Sequence, residues 1–309
     1  MIGENVERFF YWINERHAIY QRRNMGLPRS EWTDDPILQK YKFTNPFREN
    51  DRVTVWMREN WTKPNDNKRS AEIIFNCCLF RMVGTSEFAE EHGWVDFSIN
   101  WDSEYTKSLI KNRIAKGKRT FTGAYIITNQ GLKLPKAEVV VDHFLKPIYD
   151  ASEHIAVSAG FSQSLQKTHK KLAEYRGWGG GGFMAYEVVT DLNYTPVLKN
   201  ATDRFTWANA GPGAKRGLNR ILGNPLKKSM TQKVANEGMQ DLLQMTKEAY
   251  PFNGYLLGEH IPTDQVDMRT IEHSLCEWDK YERVRLGQGR PRSIYRPSLL
   301  TDTPKGAVE

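Results

Sequence analysis

Leu172-Ala-Glu-Tyr-Arg-Gly-Trp-Gly-Gly-Gly-Gly-Phe-Met-Ala185 is the stretch on which the fold reading turns. A helix-compatible run, residues 164–175, stops at the glycines, and a second, apolar run over residues 183–192 starts directly after them. The pattern predicts two helices joined by a tight hairpin, because glycine adopts positive φ without steric cost. Four consecutive glycines exceed what a plain helix-to-helix turn requires. The start of the second helix offers free N–H groups and partial positive charge, a setting suited to phosphate. An ordinary glycine-marked connector is the competing reading. No Gly-Lys-Ser/Thr follows, so this is not a P-loop.

Outward from this hairpin the chain reads as helical. Residues 4–25 place Val6, Phe9, Phe10, Ile13 and Tyr20 at helical spacing, and further helices are expected over 46–61, 70–92, 102–116, 135–158, 212–222, 229–250 and 268–285. The one strand signal is 121–128, followed by an Asn129-Gln-Gly131 turn, read as a short strand or small hairpin. Strands and helices do not alternate, which excludes a parallel sheet and a dinucleotide-binding fold. The expected class is all-α: one large helical domain over 1–289, with a division near 160 left open, and a loosely ordered tail over 290–309.

Composition narrows the function. No segment approaches the roughly 18 consecutive apolar residues of a membrane helix. The N-terminus carries acids where a signal peptide would be apolar. Cys77, Cys78 and Cys276 form no disulfide framework and suit buried thiols in a reducing cytosol. The seven histidines show no metal spacing. Lys and Arg number 44 against 37 Asp and Glu, a net charge of +7, and the distribution is sharper than the sum. Residues 105–137 hold no acid but carry Lys107, Lys111, Arg113, Lys116, Lys118, Arg119, Lys133 and Lys136. Residues 204–236 likewise hold no acid but carry Arg204, Lys215, Arg216, Arg220, Lys227, Lys228 and Lys233. Arg283, Arg285, Arg290, Arg292 and Arg296 form a third cluster. Basic blocks interleaved with aromatics are the footprint of phosphate binding, with solvated helix faces as the alternative.

Other motifs add chemistry. Gly211-Pro-Gly-Ala-Lys-Arg-Gly217 opens a helix with free amides beside two cations, again suited to a phosphate, although a capped helix with a basic face explains it nearly as well. Asp191, at the end of an apolar segment after the hairpin, is a candidate general base; a local cap is the competing role. Arg16, Tyr20 and Arg23 share a helix face, with Arg22 beside them.

Three N-terminal runs resemble a family of phage DNA-hypermodification proteins: Glu15-Arg-His-Ala-Ile-Tyr-Gln-Arg22-Arg23, Trp32-Thr-Asp-Asp-Pro-Ile-Leu38 and Tyr41-Lys-Phe-Thr-Asn45-Pro-Phe-Arg48-Glu-Asn-Asp51-Arg52. The glycine hairpin, Asp191-Leu192, the Gly211–Gly217 loop and Leu275-Cys-Glu-Trp-Asp-Lys-Tyr281 are similar to its later motifs. The family comprises the helical domain of 5-hydroxymethyluracil DNA kinases and the α-glutamyl/putrescinyl-thymine pyrophosphorylases, also described as amino acid:DNA transferases. The resemblance implies a DNA-glycosylase-like helical domain with a helix–hairpin–helix. It also implies chemistry on thymine-like bases in DNA: 5-hydroxymethyluracil is phosphorylated, and an amine then displaces the (pyro)phosphate. The absence of a P-loop favours the transferase.

On that basis Arg22, Arg23 and Arg48 are expected to bind the leaving phosphate, and Asp191 to act as base. Lys215 and Arg216, with the backbone at Gly177, Gly179, Gly180, Gly211 and Gly213, are expected on the DNA backbone. Trp32 and Trp178 are the candidates for stacking on an extruded base. The expected partners are double-stranded phage DNA bearing activated 5-hydroxymethyluracil, an amine or amino acid, and the DNA kinase. No membrane and no cofactor are expected, magnesium entering only with a pyrophosphate, and the expected location is the cytoplasm of the infected bacterium. A non-catalytic DNA-binding partner of the kinase and a glycosylase-like enzyme are the rival readings.

Overall fold

The computed structural model describes residues 2–247, 251–252, 255–256, 265–291 and 293–295. Helix α1 (Ile2–Asn24) leads to the short α2 (Pro36–Lys40), which starts at a proline and is capped by Asp35. Helix α3 (Arg52–Met57) runs on into a π-helical turn, Arg58–Thr62. Next come α4 (Ser70–Val83), α5 (Ser86–His92) and α6 (Ser103–Ala115). Helix α7 (Lys136–Glu138) passes through a second π-helical stretch, Val139–Leu145, into α8 (Lys146–Ser162). Helices α9 (Leu165–Ala173) and α10 (Phe183–Leu192) flank the glycines. The series ends with α11 (Pro212–Ile221), α12 (Gln232–Lys247) and α13 (Met268–Arg285). Among the described residues the only strands are the two-residue β1 (Pro251–Phe252) and β2 (Tyr255–Leu256), paired antiparallel. The all-α expectation holds.

Two local expectations are corrected. Residues 121–128 form no strand. Their backbone is taken up singly: Thr122 N donates to Val83 O at 2.9 Å, and Ile127 O accepts from Lys136 Nζ. The apolar alternation there is surface, since Ile126 is 82% exposed. The single helix expected over 70–92 is two. Gly84, at φ +72°, ends α4 in the left-handed conformation, and Thr85 then caps α5 by accepting from Phe88 N at 3.3 Å.

The chain divides into two compact units, Arg52–Asn209 and the discontinuous pair Met1–Asp51 with Ala210–Glu309. In the first, every residue of α4 from Ala71 to Val83 is buried, as a helix apolar on all sides demands, and α8, α10 and the second π-helical stretch cover it. In the second, α13 is central and meets α1, α11 and α12. Phe9 and Trp278 make an edge contact there at 5.7 Å, and the wholly buried Trp12 meets Phe43 at 6.1 Å. Residues 293–295 are tied to the 40–42 stretch through Lys42 N to Ser293 O (3.1 Å) and Tyr295 N to Lys40 O (3.0 Å). The expected loose tail from 296 onward lies outside the described residues. No described helix is long and apolar enough to cross a membrane.

Close approach of α11 to α13 depends on glycine. A methyl at Gly217 would lie 2.6 Å from the Leu275 carbonyl oxygen, and one at Gly213 would collide with Cys276. Helix propensity alone would favour alanine by about 1 kcal/mol. Gly217→Ala is nevertheless expected to destabilise the protein by about 1–3 kcal/mol, the usual cost of overpacking, as read from urea unfolding.

Candidate functional site

In the discontinuous unit, four separated sequence motifs converge. Asp35 Oδ1 caps α2 through Ile37 N (2.8 Å) and Leu38 N (3.0 Å). Its Oδ2 accepts from Tyr281 OH at 2.7 Å and Tyr11 OH at 3.3 Å, so one buried carboxylate joins α1, α2 and α13. Burial, then Asp35, raise the Tyr281 phenol well above its ordinary range. Arg16 Nε donates to Phe43 O at 3.2 Å, and Glu277 Oε2 accepts from Thr44 N at 3.1 Å. Glu277 also pairs with Lys280. Burial lowers the Arg16 guanidinium to about 10, against the pull of the facing Glu277, so it stays charged at neutral pH.

Aromatic groups border these cations. Arg22 Nη1 donates to Trp32 O at 2.6 Å and pairs with Glu15 at 3.0 Å. Trp32 is buried, donates from its indole to Leu27 O at 2.8 Å and meets the Tyr295 ring at 6.3 Å, which leaves little of its face for the expected stacking on a base. Arg29 lies over the same Tyr295 ring at 5.5 Å. Arg23, one of the cations facing Arg16, and Arg48 are both partly exposed. Thus Arg22 and Trp32 touch, and Arg23 belongs to the same α1 face as Arg16. Phe47, next to Arg48, packs on His17 of α1 at 4.8 Å.

The glycine-opened helix α11 is built differently from expectation. Gly211 N donates to Glu272 Oε1 at 3.1 Å, so a protein carboxylate occupies the place foreseen for a phosphate. Gly213 is there for contact with Cys276. Arg216 Nε donates to Asp279 Oδ2 at 2.9 Å; Lys215 is half-buried on the same turn.

In the other unit the polyglycine corner is pinned rather than slack. Gly177 N donates to Gln130 Oε1 (3.2 Å), Asn209 Nδ2 to Gly181 O (2.9 Å), and His169 Nε2 to Gly182 O (2.9 Å). A side chain at Gly179 would lie 2.7 Å from Ala173 O, while Gly180, at φ +68°, has open space beside it. Trp178 corrects its expected role: it has no exposed surface and its indole donates to Phe144 O at 3.0 Å, leaving no face for a base.

Asp191 is buried, and both its oxygens accept from Arg81. Arg81 also pairs with Glu187 at 3.3 Å. Burial alone would lower the Arg81 guanidinium, but Asp191 and then Glu187 outweigh it and raise it further. Tyr125 OH donates to Arg81 O at 2.6 Å, and its ring meets the half-exposed Phe183 at 5.4 Å. Burial, then Asp191, push the Cys77 and Cys78 thiols well up, which suits the inert buried cysteines expected. Asp191 is therefore one acid of a buried ionic cluster and not a free carboxylate.

The family model of the 5-hmdU DNA kinase helical domain matches residues 4–290. The chain belongs to that family. It is 26% identical over 297 residues to a 5-hmdU DNA kinase of Bacillus phage SP10. That alignment covers 88% of this chain and 44% of the kinase, so this member of the family spans less than half the length of its curated relative. No solved structure matches it.

Sequence reasoning passed over Arg81 and Glu187, and met Glu277 and Asp279 only as members of the 275–281 motif without a role. A lone arginine inside the apolar run 71–83 was the available signal, since a buried guanidinium requires a carboxylate. Glu187 and Asp191, four residues apart on an apolar helix, were its complement. Among the described residues no cluster of His, Cys, Asp or Glu could hold a metal ion.

Asp191→Asn is expected to lower stability by about 3–5 kcal/mol, because Arg81 loses its main partner in a dry site; chemical denaturation measures it. His169 adds a pH effect. Burial lowers its imidazole below the ordinary value, against the bond to Gly182 O. Its stabilising contribution is complete above the unfolded value of about 6.5 and is lost as pH falls from there through the lower folded value. His169→Gln should flatten the acid limb of a stability–pH profile.

Proposed function

We propose that this chain acts in the hypermodification of thymine in phage DNA, transferring an amine onto phospho-activated 5-hydroxymethyluracil inside the infected bacterium. Membership of the kinase helical-domain family supports phage 5-hydroxymethyluracil DNA as the partner. The step from there to amine transfer rests on one observation, the convergence of Arg16, Arg22 and Arg23 beside Trp32 and Tyr295 in a single unit. The 309 residues carry no P-loop through which they could make the activating phosphate.

The chemistry fits such a cluster. The bond between the exocyclic carbon and the phosphate oxygen breaks, the electron pair leaves with the phosphate, and a carbon–nitrogen bond forms to the amine. Guanidiniums neutralise the charge that grows on the leaving oxygen, and they do so most effectively where water is scarce. Arg22, Arg23 and Arg48 take this role, with the half-buried Arg16 behind them. The amine must also lose a proton. Asp191, assigned as base from the sequence, has both oxygens on Arg81, so in this reading it fixes the Arg81–Glu187 cluster. Asp51, a half-buried carboxylate whose charge acts on Arg16, takes the proton in this reading, since Glu277 has its oxygens on Thr44 N and Lys280.

The test combines the protein with hydroxymethyluracil duplex DNA, a 5-hydroxymethyluracil DNA kinase with ATP, and single amines such as glycine, glutamate or putrescine. The DNA is then digested and the nucleosides are weighed. An amine adduct of thymidine is expected. DNA bound without adduct, or a released base with an abasic site, would overturn the reading. Arg23→Gln with Arg48→Gln should cut adduct formation at least about 100-fold, the scale for losing one charge-stabilising donor.

A further inference from the structure

We propose that the guanidinium forks of Arg216 and Arg283, with Lys215 beside them, form a contact site for the phosphodiester backbone of duplex DNA. The proposal rests on the reading of this chain as a protein that acts on DNA, and it names one surface that would hold the duplex.

The site is organised from below by Asp279, which has no exposed surface. Arg216 Nε donates to its Oδ2 and Arg220 Nε to its Oδ1, both at 2.9 Å, while Arg283 Nε lies 3.6 Å from Oδ2. Arg216 and Arg220 are one turn apart on α11, as are Asp279 and Arg283 on α13. The close crossing at Gly213 and Gly217 fixes the distance between these two rows.

Charge does not balance there. Three guanidiniums face a single carboxylate, leaving two positive charges in excess. Arg220 is accounted for internally, since its Nη2 donates to Gln288 Oε1 at 2.7 Å and its side chain is only 7% exposed. The other two differ. Their side chains are 38% (Arg216) and 34% (Arg283) exposed; Arg216 is bonded to Asp279 through Nε, whereas the buried Nε of Arg283 stands 3.6 Å from that carboxylate without a hydrogen bond. Arg216, held by its Nε edge, has its planar Nη pair left for two phosphate oxygens, and Arg283 adds a second guanidinium beside the same carboxylate.

A polymeric anion suits the arrangement better than a single small one. Half-buried Lys215 adjoins Arg216 on α11. Arg290, two residues beyond the Gln288 that Arg220 holds, is exposed. Cations of the second and third basic blocks, Arg216 and Arg283, thus meet at Asp279.

The experiment measures affinity for unmodified duplex DNA between 50 and 200 mM salt, the range of about 50–200 mM over which phosphate contacts register. The parent is compared with Arg216→Gln, Arg283→Gln and the double variant, each verified by its thermal midpoint. Each lost contact should make the slope of log affinity against log salt shallower by about 0.9, and the double variant by roughly 1.8. Lys233→Gln, on the exposed Lys233–Glu237 pair, should change it less than either single variant. An unchanged slope in the folded double variant, with a parent that binds DNA, overturns this site and leaves the transfer reading standing. A parent that binds no DNA overturns both. A shallower slope without any amine adduct upholds the site and overturns the transfer reading.

Discussion

A carboxylate taken wholly out of water keeps its charge only if cations follow it, and in the discontinuous unit that requirement falls on Asp279. Arg216 and Arg220 reach it from α11, and Arg283 reaches it from its own helix. The crossing of α11 over α13 is thereby fixed twice, by ion pairs at Asp279 and by the side-chain-free surfaces of Gly213 and Gly217. Such pairs add little stability over an apolar replacement, but losing one partner is costly, so they specify an arrangement more than they strengthen it. The other unit shows the opposite imbalance. There a single buried cation, Arg81, serves two acids, Glu187 and Asp191. The Asp279 cluster thus has more cations than acids, and the Arg81 cluster has more acids than cations.

The helical class was legible because periodic apolar residues leave few alternatives, and α1, α10, α11 and α13 lie within a few residues of their expected ranges. Boundaries decided by a single backbone conformation were harder to read. Gly84 breaks the expected 70–92 helix because its left-handed φ leads the chain away, with Thr122 and Tyr125 packed close to its α-carbon. Alternating apolar residues over 121–128 resembled a strand because periodicity does not show whether a neighbouring strand exists. Here the side chains of Lys136 and Thr122, and the end of α4, take up backbone groups instead.

The site was legible in part for a related reason. Sequence places charges along a line, and the fold decides which of them meet. In the acid-free block 105–137 the cations find acids that lie just outside it: Lys107 meets Asp142, Lys111 meets Glu138, and Arg113 with Lys118 meets Glu91. Much of the apparent basic stripe is therefore neutralised within the unit, as the solvated-face reading had it. Blocks two and three behave differently. Arg216, Arg220 and Arg283 gather on one carboxylate too few to neutralise them, and only a three-dimensional arrangement could reveal that shortage.

The polyglycine corner makes the same point from the side of the backbone. Counting four glycines suggested room for a ligand, but most of them have internal reasons. Gly179 and Gly182 leave space for Ala173 O and His169, and Gly177 does so for the Phe144 ring, while Gly181 is held by its carbonyl through Asn209. Gly180 alone combines a left-handed φ with open space beside it. Pinning by Gln130, His169 and Asn209 gives this corner a defined shape, and a defined shape is what a turn must have if its amides are to meet an oxygen atom at a fixed distance. Any contact the corner makes with a DNA strand is thus confined to its tip around Gly180, with the remaining glycines serving the helices that carry it.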